Sequence, residues 1–302
     1  MNKIHVSIVI VTKNRKDKLA LCVKSLIHQS CIPDEVIIID NGSTDGSPEM
    51  IHEIKKRAKF PIHCYEEPRA GYPIIYNRGL KEAHFPWVAL IDNDCVASPD
   101  WLHEIKKTIE TYPRSAAVLG YSWTINSQNP YSLCTQYNIQ LWKKGGIKGK
   151  RVVDLEILDN KNIAYNKVFL QRHHLTFNEN LSTSIFGAFE DCDLGMQIQQ
   201  AGGEAIYQSR IEVAHHDPTT WSIYVKKVTN SAFSYMNFEK KWLNFRKSLP
   251  QKRYKNNFRK ALQFAKQQRL HPAKICVFLF LLYVTYGYTK ILRLIPDYFI
   301  QL

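Results

Sequence analysis

Residues 36–47 read VIIIDNGSTDGS. Val36, Ile37, Ile38 and Ile39 are four consecutive β-branched residues with no polar residue between them, the pattern of a strand buried on both faces in a parallel sheet covered by helices. The run stops on Asp40 and turns through Gly42 and Gly46, with Asp45 between them. Asp40 is thereby placed at the carboxyl end of a strand, where open α/β sheets take their ligands.

The surrounding sequence repeats the alternation. Upstream, VSIVIV at residues 6–11 is a second apolar strand, and Asn14 to Asp17 offers an N-cap and an acidic first turn. Leu19, Cys22, Val23, Leu26 and Ile27 follow at helical spacing. Downstream, Pro48 takes the first position of a helix that carries Ile51 and Ile54 on one face. IHCYEE then reads as a short strand, IIYNRGLKEA as a helix, and WVALID as a strand ending on Asp92-Asn93-Asp94. Ser98-Pro99 opens a helix through Trp101 and Ile105. This β-α-β-α order predicts an α/β fold with a doubly wound, mostly parallel sheet. Both carboxylate-ended strands would open on one crevice.

Composition narrows the class. A chain of 302 residues with 45% hydrophobic content can bury a substantial core. Seven scattered cysteines without a CxxC pair indicate neither a disulfide framework nor a zinc site and suit a reducing compartment. Strand-like sequence begins within five residues of Met1, so no signal peptide is expected and a cytoplasmic location follows. The net charge of +14 does not read as a nucleic-acid signal, because residues 239–302 carry 14 Lys and Arg against two acids. There the basic stretch 240–274 precedes the apolar run Ile275–Thr289. Fifteen helical residues reach about 22 Å, short of the roughly 30 Å of a hydrocarbon core. A helix lying on an anionic membrane surface is expected, each cation adding on the order of 1 kcal/mol; a core or oligomer helix is the alternative.

Taken singly, these signals are ordinary. A DxD tripeptide marks a turn as readily as a cation site on a diphosphate, and Asp-Gly after a strand is common turn chemistry. Glu190-Asp191-Cys192-Asp193 could merely favour a helix dipole. Together and in order, however, SIVIVTKNR, IIIDNGSTDGS, NRGL, LIDNDC, NIAYNKVFL, FEDCDLGMQIQQAG and VAHH resemble the motifs of family 2 glycosyltransferases, the inverting sugar transferases of GT-A fold. The resemblance runs from about Val6 to about His216.

That resemblance implies a set of roles. Thr12, Lys13 and Asp40 hold the nucleotide base, Asp40 accepting from the ring N3–H; a carboxylate there suits uracil or thymine and repels the N3 lone pair of cytosine. Asp94 holds Mn²⁺ or Mg²⁺ on the diphosphate, with Asp92 nearer the ribose and donor sugar. His215 is a further metal ligand, with His216 its rival. Asp191 is the general base and Glu190 lies beside the acceptor, while Asp193 caps the following helix. Family members often carry Arg where this chain has Tyr76 before Asn77, so Arg69 becomes the candidate phosphate contact, with Asn77 beside it. Gln197 replaces another usual Arg. Residues 121–157 show no motif and are expected to shape the acceptor site.

The expectation is therefore a metal-dependent, inverting glycosyltransferase that uses a UDP or dTDP sugar and a glycan or lipid-linked acceptor in cell-surface polysaccharide assembly. Residues 1–225 would form the catalytic domain and residues 226–302 a helical tail on the inner face of the membrane. A nucleotidyltransferase would need a glycine- and basic-rich loop near the amino terminus, and TKNRKDK has no glycine. A non-catalytic membrane-surface protein would not need the intact acidic set. No GxGxxG follows the first strand, which argues against an NAD enzyme.

Overall fold

The computed structural model describes residues 3–152, 154–183, 189–248 and 258–292. They belong to two compact units: Met1–Trp123 with Gly146–Thr183 and Glu190–His215, and Thr124–Gly145 with Ser184–Phe189 and His216–Leu302.

The first unit is built on β1 (Val6–Thr12), β2 (Glu35–Asp40), β3 (Ile62–Glu66) and β4 (Trp87–Ile91), joined by α1 (Lys16–Ile27), α2 (Ser47–Arg57) and α3 (Tyr72–Glu82). Every residue of β1, β2 and β4 is buried, as their unbroken apolar runs require. β1 pairs in parallel with β2 and β4, and β2 with β3. The register sets Thr12 opposite Asp40, so the site-bearing ends of β1 and β2 are level.

Beyond β4 the sheet is mixed. β5 (Cys95–Ala97), α4 (Trp101–Thr111), β6 (Ala117–Thr124), β7 (Ile147–Lys148), β8 (Arg151–Val152), β9 (Asn162–Asn166) and β10 (Ala205–His215) complete the order β3-β2-β1-β4-β9-β6-β10-β8-β7, with β5 beside β10. β9 runs antiparallel to both β4 and β6. Its place is fixed by Asn162, whose side chain accepts from Trp101 Nε1 at 2.8 Å and donates to the backbone carbonyls of Tyr121 and Ile211. The sheet is thus parallel where βαβ crossovers join the strands and antiparallel elsewhere, across long segments and across the two-residue turn between β7 and β8.

Two helix starts differ from the sequence expectation. Arg15, not Asn14, holds the cap position of α1, and no side chain caps it. Asn14 has a left-handed backbone, φ 50°, and its side chain accepts from Thr44 N–H at 2.7 Å, tying the loop after β1 to the turn after β2. At α4 the cap position is Asp100, without a side-chain cap.

The second unit has its own core. The motif-free stretch supplies α5 (Pro130–Gly146), which folds with α8 (Trp221–Ser248), α9 (Phe258–Gln267) and α10 (Pro272–Leu292). Leu133, Cys134 and Tyr137 of α5 cluster with Tyr224, Ala261, Ala265, Phe278, Leu281 and Leu282. The apolar run from Ile275 thus buries one face of α10 against protein, while Phe280 and Tyr283 remain 60% and 78% exposed. No helix among the described residues is long and apolar enough to cross a membrane. Lys252, Arg253, Lys255 and Arg293 of the basic tail lie outside the described residues.

Candidate active site

The carboxyl ends of β1, β2 and β4 carry the first group of site residues. Asp40 is buried at the end of β2, and its carboxylate accepts from Ser43 N–H at 3.1 Å and Ser43 Oγ at 2.5 Å. Gly42 and Gly46, with φ +73° and +82°, let the chain leave the strand in the left-handed region that other residues resist. Opposite, Thr12 Oγ1 is buried with no hydrogen-bond partner among the described residues. Lys13 Nζ donates to Asn41 Oδ1 at 3.2 Å, and Asn41 Nδ2 donates to the carbonyls of Glu67 and Arg69. The loop after β3 is thereby drawn to the same edge.

Arg69 forms a two-pronged pair with buried Glu67, at 2.9 and 3.0 Å, and lies 3.7 Å from Glu179. Its outer surface is exposed. Asn77 is committed elsewhere: Nδ2 donates to Phe177 O and Glu179 Oε1, and Oδ1 accepts from Phe177 N–H. Its amide therefore fixes the segment around Phe177. The neighbouring Tyr76, where the family often has Arg, is buried and donates its hydroxyl to Asp92 Oδ1 at 3.1 Å.

Asp92 and Asp94 flank the turn after β4, and Asn93 anchors that turn by donating to Val11 O at 2.7 Å. Antiparallel pairing sets His215, the last residue of β10, opposite Cys95. His215 Nε2 consequently stands 3.2 Å from Asp94 Oδ1, while Arg15 and Lys18 approach Oδ2 at 3.2 and 3.7 Å. Burial alone would push Asp94 up, but the His215 hydrogen bond and the charges of His215, Lys18 and Arg15 hold it well below the usual range. Burial and the charge of Asp94 push Asp92 up to about 6. Asp94, Cys95 and His215 offer ligand atoms within 4.8 Å of one another. Burial keeps the Cys95 thiol protonated, so the usable donors are a carboxylate and an imidazole. An ionised oxygen donor with one nitrogen fits a divalent cation that also takes diphosphate oxygens and water. His216, the alternative ligand, falls in the second unit.

The second group lies at the start of α7 (Glu190–Gln200). Phe189, immediately before it, has φ 72°, an outlier for a bulky residue. Glu190 is buried, Asp191 half-buried and Asp193 fully buried. Gly195 lets this helix lie on the turn at Leu155, whose carbonyl oxygen would stand 1.9 Å from a Cβ there. Burial and then the charge of Asp191 push Glu190 up to about 8, and burial with Asp159 raises Asp191. Asp193 accepts from Gln197 Nε2 at 2.8 Å, a bond within its own helix.

Sequence reasoning missed the turn Asp159-Asn160-Lys161. Asn160 N–H reaches Asp191 Oδ2 at 3.4 Å, and Lys161 pairs with Asp159 at 2.7 Å. The charge of Lys161 lowers both Asp92 and Asp191, so it acts on both acidic groups. The available signal was three polar residues interrupting LEIL and NIAY.

Residues 7–173, more than half the chain, match the model of glycosyl transferase family 2. Among curated proteins, the putative glycosyltransferase EpsH of Bacillus subtilis is 28% identical over 34% of this chain and 30% of its own length. The match therefore spans less than a third of that relative. The mannosyltransferase PcManGT of Pyrobaculum calidifontis aligns in structure with a TM-score of 0.61 and 18% identity, over 80% of this chain and 65% of its own. TarS of S. aureus aligns with a TM-score of 0.56 and 15% identity, over 94% and 87%. These likenesses establish the GT-A fold.

Proposed function

The chain belongs to glycosyl transferase family 2, and from that premise we propose that it moves a sugar, in a divalent-metal-dependent and inverting reaction, from a nucleoside-diphosphate sugar to a hydroxyl of a glycan or lipid-linked acceptor. The observation that carries the reading is the pair of acidic groups in the first unit. Asp94 is held ionised beside His215, whereas Glu190 and Asp191 are pushed up. One group is ready to serve a cation and the other to take a proton.

Asp94 and His215 would hold Mn²⁺ or Mg²⁺, which supplies charge neutralisation on the departing diphosphate. Asp191 accepts the proton of the attacking hydroxyl as its oxygen bonds to the anomeric carbon; the bond from that carbon to the diphosphate oxygen breaks, and the nucleoside diphosphate leaves with the electron pair. Asp40 accepts from the base, with Thr12 Oγ1 free for the nucleotide and Lys13 beside it. Arg69 presents its exposed face to phosphate. PcManGT is described with GDP-Man and Mn²⁺, and TarS with UDP-GlcNAc. Uracil, thymine and guanine each offer a ring N–H to a carboxylate, and cytosine does not. We favour UDP or dTDP donors.

A calorimetric comparison tests the donor side. UDP or dTDP binds at least about tenfold more tightly than CDP with Mn²⁺ present, one bond to an ionised acceptor being worth roughly 1.5–3 kcal/mol. GDP separates hydrogen bonding from size. Equal affinities for UDP and CDP would remove Asp40 from this role. Alongside it, a panel of nucleotide sugars with and without metal should show metal-dependent release of nucleoside diphosphate from at least one; no release from any contradicts the enzymatic reading.

The acceptor side is read from the second unit. Val277, Phe280 and Tyr283 are exposed on α10, opposite the face buried in the helical core, and residues 239–302 contribute +12 of the net charge. Such a surface suits peripheral attachment to the anionic inner face of a membrane, where lipid-linked polysaccharide intermediates would be reached. Full-length protein sediments with anionic vesicles at low salt, less so at high salt, and Phe280→Ser with Tyr283→Ser weakens the salt-resistant part. Full-length chain that stays in solution with such vesicles refutes the attachment.

A further inference from the structure

Asn160 is 3% exposed and immobilised from several sides. Its backbone N–H donates to Asp191 Oδ2 at 3.4 Å, and its side-chain Oδ1 accepts from the hydroxyl of fully buried Tyr165 at 3.0 Å. Its neighbours Asp159 and Lys161 are paired with each other at 2.7 Å. Yet Asn160 Nδ2 is buried with no hydrogen-bond partner among the described residues. Turning the amide over does not relieve this, because the Tyr165 hydroxyl meets only one of its two polar atoms. A buried amide left half-used is rare in a folded chain and calls for a catalytic role, a water or an ion to complete it; beside Asp191 the fitting group is one that the bound state supplies.

The chemistry of that group follows from what surrounds it. Asp191, touched by the Asn160 backbone, accepts; Asn160 Nδ2 donates. An acceptor on Asp191 and a spare donor on the residue whose backbone touches it match two neighbouring hydroxyls of a sugar, one giving its proton to the carboxylate and the other offering its oxygen to the amide. We propose that Asn160 positions the acceptor by donating from Nδ2 to the hydroxyl next to the attacking one, so that the acceptor's reactive end is a vicinal diol. The assignment rests on Asp191 being the base. Asn160 does not touch the proton that moves; it orients the sugar that carries it.

Water has no neighbouring hydroxyl, which separates this role from a structural one. The test compares hydrolysis of the best nucleotide sugar with transfer to methyl glycosides of the common hexoses and to their monodeoxy forms. In Asn160→Ala the melting temperature falls, because the buried Tyr165 hydroxyl loses its acceptor, but hydrolysis and Mn²⁺-dependent UDP affinity stay at wild-type values while the acceptor KM rises about three- to tenfold, the worth of one neutral hydrogen bond. The monodeoxy glycoside lacking the neighbouring hydroxyl shows the raised KM with wild-type enzyme and no further rise with the variant. Asn160→Asp keeps an acceptor for Tyr165 and removes the donor, and gives the same rise if Asn160→Ala does not fold. An unchanged acceptor KM overturns the proposal, as does an equal fall in hydrolysis and transfer. So does a wild-type chain that hydrolyses its donor but transfers to none of these glycosides. Asp191→Asn is run beside them: full activity there defeats the base assignment, whereas an inactive Asp191→Asn with an unaffected Asn160→Ala defeats this proposal alone.

Discussion

The central strands of the first unit carry carboxylates at both ends, and the two ends treat them in opposite ways. At the amino edge, burial acts against Asp34 and Glu35, yet both are held below the usual carboxylate range. Asp34 accepts from Val6 N–H at 3.0 Å and pairs with Lys106 at 2.6 Å; Glu35 accepts from Ser7 Oγ, from His84 N–H at 2.9 Å and from His84 Nδ1 at 2.7 Å. Across the site at the carboxyl edge, Asp92 and, at the start of α7, Glu190 and Asp191 are raised, with burial the main cause, while Asp94 alone of the group is lowered, by His215, Lys18 and Arg15. The same fold satisfies its carboxylates where they hold strands together and, Asp94 apart, leaves them poorly compensated at the edge proposed to take substrate. Burial is common to both edges, so the number of donors supplied decides the direction.

The largest effect that can break this contrast is loss of Asp94. Asp94→Ala removes the ionised acceptor beside His215, and Mn²⁺-dependent UDP binding should weaken by roughly 10²-fold or more, since even residues that only orient metal ligands cost 10- to 100-fold. Calorimetry with and without Mn²⁺ checks it. Unchanged affinity would mean that the Asp94–His215 pair is structural, like the carboxylates of the other edge.

Next comes the pH dependence of turnover. A base must be ionised to act, so burial and the charge of Asp159, which raise Asp191, move the rising limb of kcat/KM to higher pH. Below that limb the rate falls about tenfold per pH unit. Lys161 lowers Asp191 by its charge, so Lys161→Met should displace the limb further upward. A limb in the ordinary carboxylate range, unmoved by the substitution, would erase the difference between the edges.

The smallest effect concerns the amino edge. Because Glu35 is lowered on folding from an ordinary value of 4.5, its stabilisation is present above that value and is lost as pH falls through the folded one. Glu35→Gln should cost about 1–3 kcal/mol at neutral pH and progressively less on acidification. Melting curves between acidic and neutral pH measure this; an equal loss throughout would mean that charge is irrelevant there.

The sequence made some of this contrast legible and hid the rest for physical reasons. Unbroken apolar runs announced β1, β2 and β4, and their terminal Asp40, Asp92 and Asp94 are where a buried parallel strand must put them. β9 and the antiparallel half were invisible, because NIAYN pairs with β4 from a distant segment rather than through a crossover. The role of Tyr76 was hidden too: a departure from the family's Arg turns out to be the residue that donates to Asp92. Asn77 reads as a nucleotide contact in the sequence, and what the sequence could not show is that its amide bonds the backbone of Phe177, one hundred residues away. Asn160 is polar in a polar turn, and only the packing of α7 against that turn sets it beside Asp191. The motif-free stretch around α5 reads as irregular until Leu133 and Tyr137 are seen packed with α10.

The central claim, that the acidic pair at the start of α7 does chemistry while Asp94 and His215 hold the donor, is tested most directly by Asp191→Asn. Turnover of the best donor and Mn²⁺-dependent UDP affinity would be measured on the same preparation. The account predicts turnover reduced by roughly 10²- to 10⁴-fold, the contribution of a general base, with UDP affinity unchanged. Near-normal turnover would contradict it and leave Glu190 or Asp193, or no side chain at all, as the base.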